Sequence, residues 1–352
     1  VESDSDWQGD LDRFPGVWSG VLPGDPVSVN RDVSTVSSWL IPDHCPPLPQ
    51  VLAAMFGEGI DSGRVSRETL SFHDSYAATL RQRGLALVRR GSRLFLSRDG
   101  QLALGADDLS QPHAGEVAGP ARTLPAGPVA AALAPLLGPW SLRCIGCCRW
   151  RTQTWAWRNA DDKIVVRVHL ESYRRLGPAG ADAPFLAMVR VVGLRGYDDA
   201  QQAFERQLDI EGFQPLSTSP AEIVLTALCG SVSTPVVGFA PAVFSGESCR
   251  DAVFNIAGSL LAAMRGFERG IIEDVDCECL HAYRVLLRKL RSLLSQFSQV
   301  LLDADEEPLC TALATLARRT NRLRDVDVFL MSEAHYRELV PEPLRDGLNV
   351  VF

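Results

Sequence analysis

Apolar positions along the chain follow two different periods. Between about residues 31 and 213, short runs alternate apolar with polar side chains or are rich in β-branched and aromatic residues, which predicts strands at 67–72, 85–89, 94–97, 149–158, 163–171 and 186–192. Gly91-Ser92 and Asn159-Ala160-Asp161-Asp162 supply turn chemistry between neighbouring runs and predict antiparallel pairs, with short helices near 48–56 and 198–208. The implied unit is an antiparallel sheet or barrel. Beyond residue 247 the period changes: Phe254, Ile256, Leu260, Leu261, Met264 and Phe267 recur at helical spacing and end at Gly270. Further helices are predicted at 276–300 and 306–319, with a fourth starting near Asp325, and short connections make these antiparallel neighbours of a four-helix bundle. Residues 1–30 show no period and read as a disordered or loosely packed lead-in, and 214–246 as a Pro- and Gly-punctuated linker with a short helix at 221–229. The predicted class is α+β: a β domain over 31–213 and an all-α domain over 247–352.

Composition narrows the chemistry. A chain of 352 residues, 46% hydrophobic and 22% charged, has enough apolar side chain for two domains with real cores. Its 35 Lys and Arg against 43 Asp and Glu give a net charge of -8, which excludes a general cationic coat for nucleic acid and requires any anion site to be a local cluster. The apolar run 129–138 is interrupted by Pro135 and falls short of the ~18 residues of a membrane span, so a soluble protein without membrane partner is expected. Nine cysteines, an odd number thinly spread, fit a reducing cytoplasm. Val1-Glu2-Ser3-Asp4 carries no secretory signal, and the apolar ending Leu348-Asn349-Val350-Val351-Phe352 reads as the middle of a longer chain. Cys144, Cys147 and Cys148 lack a second ligand pair at zinc-like spacing and are expected to be buried free thiols; no metal or cofactor is called for, and no Walker loop, dinucleotide fingerprint or catalytic triad is present.

The second predicted helix carries the clearest chemical pattern. At 100° per residue, His281, Arg284, Arg288 and Arg291 fall within about 80° of one another, opposite Tyr283, Leu286, Leu290, Leu293, Leu294 and Phe297. The cationic line is about 15 Å long, and its acidic residues, Glu273, Asp274, Asp276 and Glu278, are confined to the turns before it. Arginine suits phosphate because its planar fork donates two parallel hydrogen bonds and keeps its charge at every relevant pH. Arg318, Arg319, Arg322 and Arg324 form a second group where the third helix is expected to end. Charge pattern alone leaves two readings open, a solvated face or an anion site.

The stretch His281-Ala-Tyr-Arg284-Val-Leu-Leu-Arg288-Lys289-Leu-Arg291-Ser292, followed by Leu323-Arg324-Asp325-Val326-Asp327-Val328, resembles the first half of a CHAD domain, the histidine-containing helical domain that binds inorganic polyphosphate. Met264-Arg265 to Gly270-Ile271 and Asp274-Val275-Asp276 fit the same family, and the resemblance covers about 250–352. It implies a helical bundle that holds polyphosphate, its basic motif matched by His281, Arg284, Arg288, Lys289, Arg291 and Arg324. With Arg318 and Arg322 of the neighbouring cluster added, these are the expected site residues of a non-catalytic polyphosphate-binding protein, cytoplasmic and associated with polyphosphate granules. The family domain is about twice this length, so a face left uncovered by the missing half is expected to drive self-association.

Arg67-Glu68-Thr-Leu-Ser-Phe72-His73-Asp74-Ser75, with Leu80 and Gly84-Leu85-Ala-Leu87-Val-Arg89, is similar to part of the CYTH, or triphosphate-tunnel, family over about 36–213. That resemblance implies a barrel with inward cations, here Arg67, Arg89, Lys163 and Arg167, as tunnel anion-binding residues. The family's first-strand Glu-x-Glu-x-Lys, which holds its metal, is replaced by Val36-Ser37-Ser38-Trp39-Leu40, so a degenerate, non-catalytic tunnel is expected. The alternative is a metal-dependent triphosphatase or polyphosphatase acting in that tunnel.

Overall fold

Alternation of side chains to the two faces of a strand governs the first half of the molecule. The structure, a computed structural model, describes residues 36–42, 50–52, 60–98, 109–176, 185–229, 246–301 and 306–351, and the lead-in 1–30 and most of the helix expected at 48–56 lie outside them. The described residues form ten strands: β1 Val36–Leu40, β2 Ile60–Asp74, β3 Leu85–Arg90, β4 Arg93–Arg98, β5 Leu109–Pro112, β6 Gly119–Pro120, β7 Ser141–Arg158, β8 Ile164–Arg175, β9 Leu186–Gly193 and β10 Gln214–Pro215. The main sheet runs β10-β1-β9-β8-β7-β2-β3-β4-β5, wholly antiparallel, with β6 beside β7. Among the described residues it does not close into a barrel, and β10 and β5 are its edges. Both predicted turns form. Gly91 takes φ 56° in the tight β3–β4 turn, and between β7 and β8 the Asn159 side chain accepts from the backbone N–H groups of Asp161 (3.1 Å) and Lys163 (3.0 Å) while Asp162 takes φ 58°.

Helices cover the sheet unequally. On one face, α1 (Pro128–Leu137) buries Val129, Leu133 and Leu137 against Leu85, Leu87, Leu94 and Leu96. On the same face at the other flank, α2 (Asp198–Ile210) buries Phe204 and Leu208 against Val166, Val168, Val189 and Val191. The opposite face receives α3 (Pro220–Cys229), whose Ala221, Val224 and Leu225 meet Leu70, Phe72, Cys148, Trp150, Tyr173 and Met188. Each large side chain so buried contributes about 1.5–3 kcal/mol. The stretch read as linker is therefore partly structural: β10 pairs with β1 and α3 completes a core of the sheet domain.

The second half is helical: α4 Cys249–Ile272, α5 Cys277–Gln296, α6 Ser298–Leu301, α7 Glu306–Met331 and α8 Glu333–Leu339, then a 3-10 stretch Glu342–Val350. The third and fourth helices expected from sequence are one helix, α7, because neither Gly nor Pro falls between 319 and 325 to break it. Ser248 and Asp276 cap α4 and α5, accepting from the N–H groups of Asp251 (3.1 Å) and Glu278 (2.9 Å). Asp276 also ties the halves together, since its second carboxylate oxygen accepts from the Ser141 N–H of β7 at 2.8 Å. Around that bond, Trp140 stacks on Phe267 with ring centroids 6.1 Å apart, Tyr76 donates to the Gly266 carbonyl at 3.2 Å, and Ala77 joins the helical core.

Gly270 lies at this junction with no room for a side chain. A Cβ there would sit 2.6 Å from Cys279 Sγ and 2.8 Å from the Tyr76 ring. Gly270→Ala is therefore predicted to lower stability by about 1–3 kcal/mol through overpacking, despite alanine's better helix propensity. Chemical denaturation checks the sign; an unchanged or raised midpoint would show that the junction yields without strain.

Candidate anion-binding faces

The basic side chains of α5 divide into two groups according to what they touch. Arg284 is half-buried and committed to α7: Nη1 donates to the Ala317 carbonyl (3.0 Å) and to Thr320 Oγ1 (2.7 Å), and Nη2 to Asn321 Oδ1 (2.8 Å). Arg324 of α7 reaches back, donating from Nη1 to the Cys277 carbonyl (3.3 Å) and from Nη2 to the buried Glu278 carboxylate (3.5 Å). These two arginines brace the α5–α7 contact and hold the facing of the two helices. Thr320, Asn321 and Glu278, which complete the braces, carry no sequence signal of that role.

His281, Arg288, Lys289 and Arg291 are exposed on α5, with Tyr283, Leu286, Leu287, Leu290 and Leu294 buried beneath. Arg288 and Lys289, with Ser292 and Gln296, border a cleft of about 380 Å³ whose other wall is Ile256 and Leu260 of α4. On α7, Arg318 and Arg322 are exposed and each follows by one residue a position that Arg284 touches, about 100° round the helix. Arg318 donates to Thr315 Oγ1 at 3.0 Å, within its own helix. The eight residues expected to hold an anion thus comprise two internal braces and six solvent-facing groups. An anion passing over α5 meets guanidinium and ammonium groups with their donors still available, the arrangement that phosphate oxygens favour.

The four cations expected inside a tunnel do not converge. Arg167 lies on the α3 side of the sheet with His169, Glu171 and Arg190, but Arg67 and Arg89 project from the other face, and Lys163 precedes β8 in a turn, 3.9 Å from Asp161. On the α3 side the carboxylates are already paired. Glu171, 2% exposed, accepts from Arg190 (2.9 Å) and from the Tyr173 hydroxyl (2.6 Å), and Glu68 accepts from Arg90 (2.7 Å), whose guanidinium lies over Trp150. The Arg90 hydrogen bond holds the Glu68 carboxyl below the usual range. His169 Nδ1 lies 3.2 Å from Thr154 Oγ1, and burial, with Arg190 and Arg167 nearby, pushes its pKa down to about 4.

The cysteine string is only partly buried, contrary to expectation: Cys148 is inside, Cys147 half-exposed and Cys144 exposed, with the Cys144 and Cys147 sulfurs 3.2 Å apart. Burial raises the pKa of Cys147 to about 11 and of Cys148 to about 12, leaving them as thiols at neutral pH. Among the described residues no group of three or more His, Cys, Asp or Glu is placed to hold a metal ion, and no helix is long and apolar enough to cross a membrane.

Comparison with known proteins adds a family to the helical half: residues 255–351 match the CHAD domain. No curated protein matches the chain. Among solved structures, a candidate adenylyl cyclase from Hippeastrum described as having a dominant triphosphatase activity is similar at 12% identity and a TM-score of 0.31, covering 53% of this chain and 92% of its own. A Pyrococcus horikoshii OT3 protein is similar at 11% identity and a TM-score of 0.29, covering 55% and 98% respectively.

Two outcomes follow from these contacts. Arg284→Ala is predicted to destabilise the protein by about 1–3 kcal/mol by removing donors to three α7 acceptors, while Arg288→Ala stays within about 0.5 kcal/mol of the parent; urea midpoints distinguish them. His73, driven down to about 4 chiefly by burial, behaves like His169. Both stay neutral in the folded protein while the unfolded chain protonates near pH 6.5, so stability present above that pH is lost as pH falls toward 4. His169→Gln is predicted to flatten the loss between pH 6.5 and 4, and equal slopes for variant and parent would refute the assignment.

Proposed function

We propose that this protein binds inorganic polyphosphate, without hydrolysing it, along the exposed cations of α5 and the flank of α7. The observation that carries this reading is the division of labour among the arginines: Arg284 and Arg324 lock the two helices, and Arg288, Lys289, Arg291 and Arg322 are left outward on the rigid surface so formed. The CHAD match over 255–351 supports it, because the resemblance of the His281–Ser292 and Leu323–Val328 stretches to that family implies the same ligand. A long linear anion gains from a row of charges, since each phosphate contact releases condensed counterions. Association with polyphosphate granules in the cytoplasm follows as a cellular expectation of that binding.

A second reading places metal-dependent triphosphate hydrolysis in the sheet domain. Catalysis of that type needs hard oxygen ligands that face one another and are free to bind a cation. Glu68 and Glu171 are instead engaged by Arg90 and Arg190, and β1 offers no acid, which favours binding over turnover.

Calorimetric titration with long-chain polyphosphate is predicted to show affinity that falls steeply with added salt. Arg288→Ala/Arg291→Ala should weaken binding by at least about tenfold and flatten the salt dependence, whereas Arg122→Ala/Lys163→Ala, an equal charge loss elsewhere, should leave it within about twofold. Equal weakening in both would reduce the effect to net charge. Phosphate release from triphosphate with Mg²⁺ or Mn²⁺, abolished in Glu171→Gln, would instead establish the enzymatic reading.

A further inference from the structure

The pairing of β7 with β2 slips twice, and one slip falls among the cysteines. Ser71 is the cross-strand partner of Cys147 and Phe72 of Gly146, but His73 is paired with Cys144, which leaves Ile145 opposite no residue of β2. That is the two-against-one count of a β-bulge. In a regular strand, residues three apart point to opposite faces. Here the extra residue removes that offset: Ser71 and His73 share one face of β2, so their partners Cys147 and Cys144 share the same face of β7. Their sulfurs come within 3.2 Å of each other, and the Cys144 sulfur lies 3.6 Å from the carbonyl oxygen of Gly146 in the same bulge. Two residues of strand span about 6.6 Å between Cα atoms, inside the range that a disulfide bridges, and a sulfur–sulfur bond of about 2 Å needs a further approach of only about 1 Å.

The two thiols differ in access. Cys144 is exposed and Cys147 half-exposed, while Cys148 alternates to the α3 side and is fully buried beside Leu70, Trp150 and Tyr173. Burial, with the Cys144 thiol next to it, pushes Cys147 up to about 11, which makes it a poor first nucleophile at neutral pH. Cys144 is therefore the sulfur that an oxidant in solution meets first, with Cys147 in reserve beside it. Two sulfurs alone fall short of the four-ligand set of a zinc site, and among the described residues no third His, Cys, Asp or Glu joins them.

We propose that Cys144 and Cys147 form a reversible redox pair, closed to a disulfide by hydrogen peroxide and reopened by a dithiol reductant. In the first step the Cys144 sulfur attacks one oxygen of the peroxide; the O–O bond breaks, the other oxygen leaves as water, and Cys144 becomes a sulfenic acid. The Cys147 sulfur then attacks the Cys144 sulfur, the S–O bond breaks, and the Cys147 proton departs with the hydroxyl group as a second water. The two thiols lose two electrons and two protons, and the peroxide gains both. Reopening runs by exchange: one thiol of the reductant attacks the disulfide, and its second thiol releases the pair as the reductant is itself oxidised to a disulfide. The ring closed in the protein is short and lies at the surface, so it adds little to global stability and stays reducible, the properties of a switch rather than of a scaffold. Being on the sheet, the pair is independent of polyphosphate binding on α5.

The test uses the full chain, fully reduced and then exposed to hydrogen peroxide, with alkylation of the remaining thiols and peptide mass spectrometry. An intrachain Cys144–Cys147 bond, lighter by two hydrogens, is expected to form before any other cysteine is oxidised, and dithiothreitol should restore both thiols. Cys144→Ser should slow oxidation of Cys147 at least about tenfold, whereas Cys147→Ser should leave Cys144 as a sulfenic acid that dimedone traps. Phenylarsine oxide, which binds two neighbouring sulfurs at once, should protect both cysteines of the parent from alkylation but not the remaining cysteine of either variant. The parent chain alone decides the pairing, so a variant that folds poorly does not obscure it. Cys144 and Cys147 both still open to alkylation after peroxide has oxidised another cysteine, or Cys144 bonded to Cys148 or to a second chain instead, overturns the assignment.

Discussion

Fixed cations that cannot move apart repel one another, and this protein holds them so in two places. On the sheet, hydrogen-bonded register sets Arg67, Arg149, Arg151 and Arg174 side by side. On the helices, the contacts of Arg284 and Arg324 fix α5 against α7 and thereby fix the exposed Arg288, Lys289 and Arg291. Neither arrangement is what solubility requires, since solvated surfaces intersperse the two signs. On α5 and α7 this suits the proposed recognition of a polyanion: donors are held in place before the ligand arrives, so that little entropy is lost on binding.

The two halves share an interface built from a few specific contacts. Asp276 caps α5 and accepts from Ser141 of β7, Gly270 allows α4 to approach Tyr76 and Cys279, and Trp140 stacks on Phe267. A side chain at residue 270 or loss of the Asp276 carboxylate would loosen the sheet from the helices without touching any exposed arginine. On the α3 face of the sheet, the Glu68 and Glu171 carboxylates are absorbed into ion pairs, and α3 fills the adjoining space with apolar side chains.

Much of this was legible in sequence. Period 2 gave way to period 3.6 where the sheet yields to helices, and Gly91-Ser92 and Asn159–Asp162 turn the chain where expected. The basic line on α5 was visible because helical spacing is local. Three things were not. Continuity of α7 through Asp325 was hidden because the charged cluster 318–325 resembles a helix end, although nothing in it breaks a helix. The commitment of Arg284 and Arg324 depends on partners 33 to 47 residues away, and the adjacency of Arg67, Arg149 and Arg151 depends on the register between β2 and β7, which no single strand encodes. The expected inward direction of Arg67 and Arg89 failed for the same reason.

In the proposed binding mode the outward cations of α5 contact a phosphate chain, and Arg284 and Arg324, committed between α5 and α7, do not. Side-chain Nε–Hε resonances of arginine, followed by NMR while long-chain polyphosphate is added to the intact protein, address it directly. Saturable shifts are predicted at Arg288 and Arg291, with Arg284 and Arg324, held between α5 and α7, unmoved. Shifts spread evenly over all exposed arginines, or none at Arg288 and Arg291 at saturating polyphosphate, would contradict it.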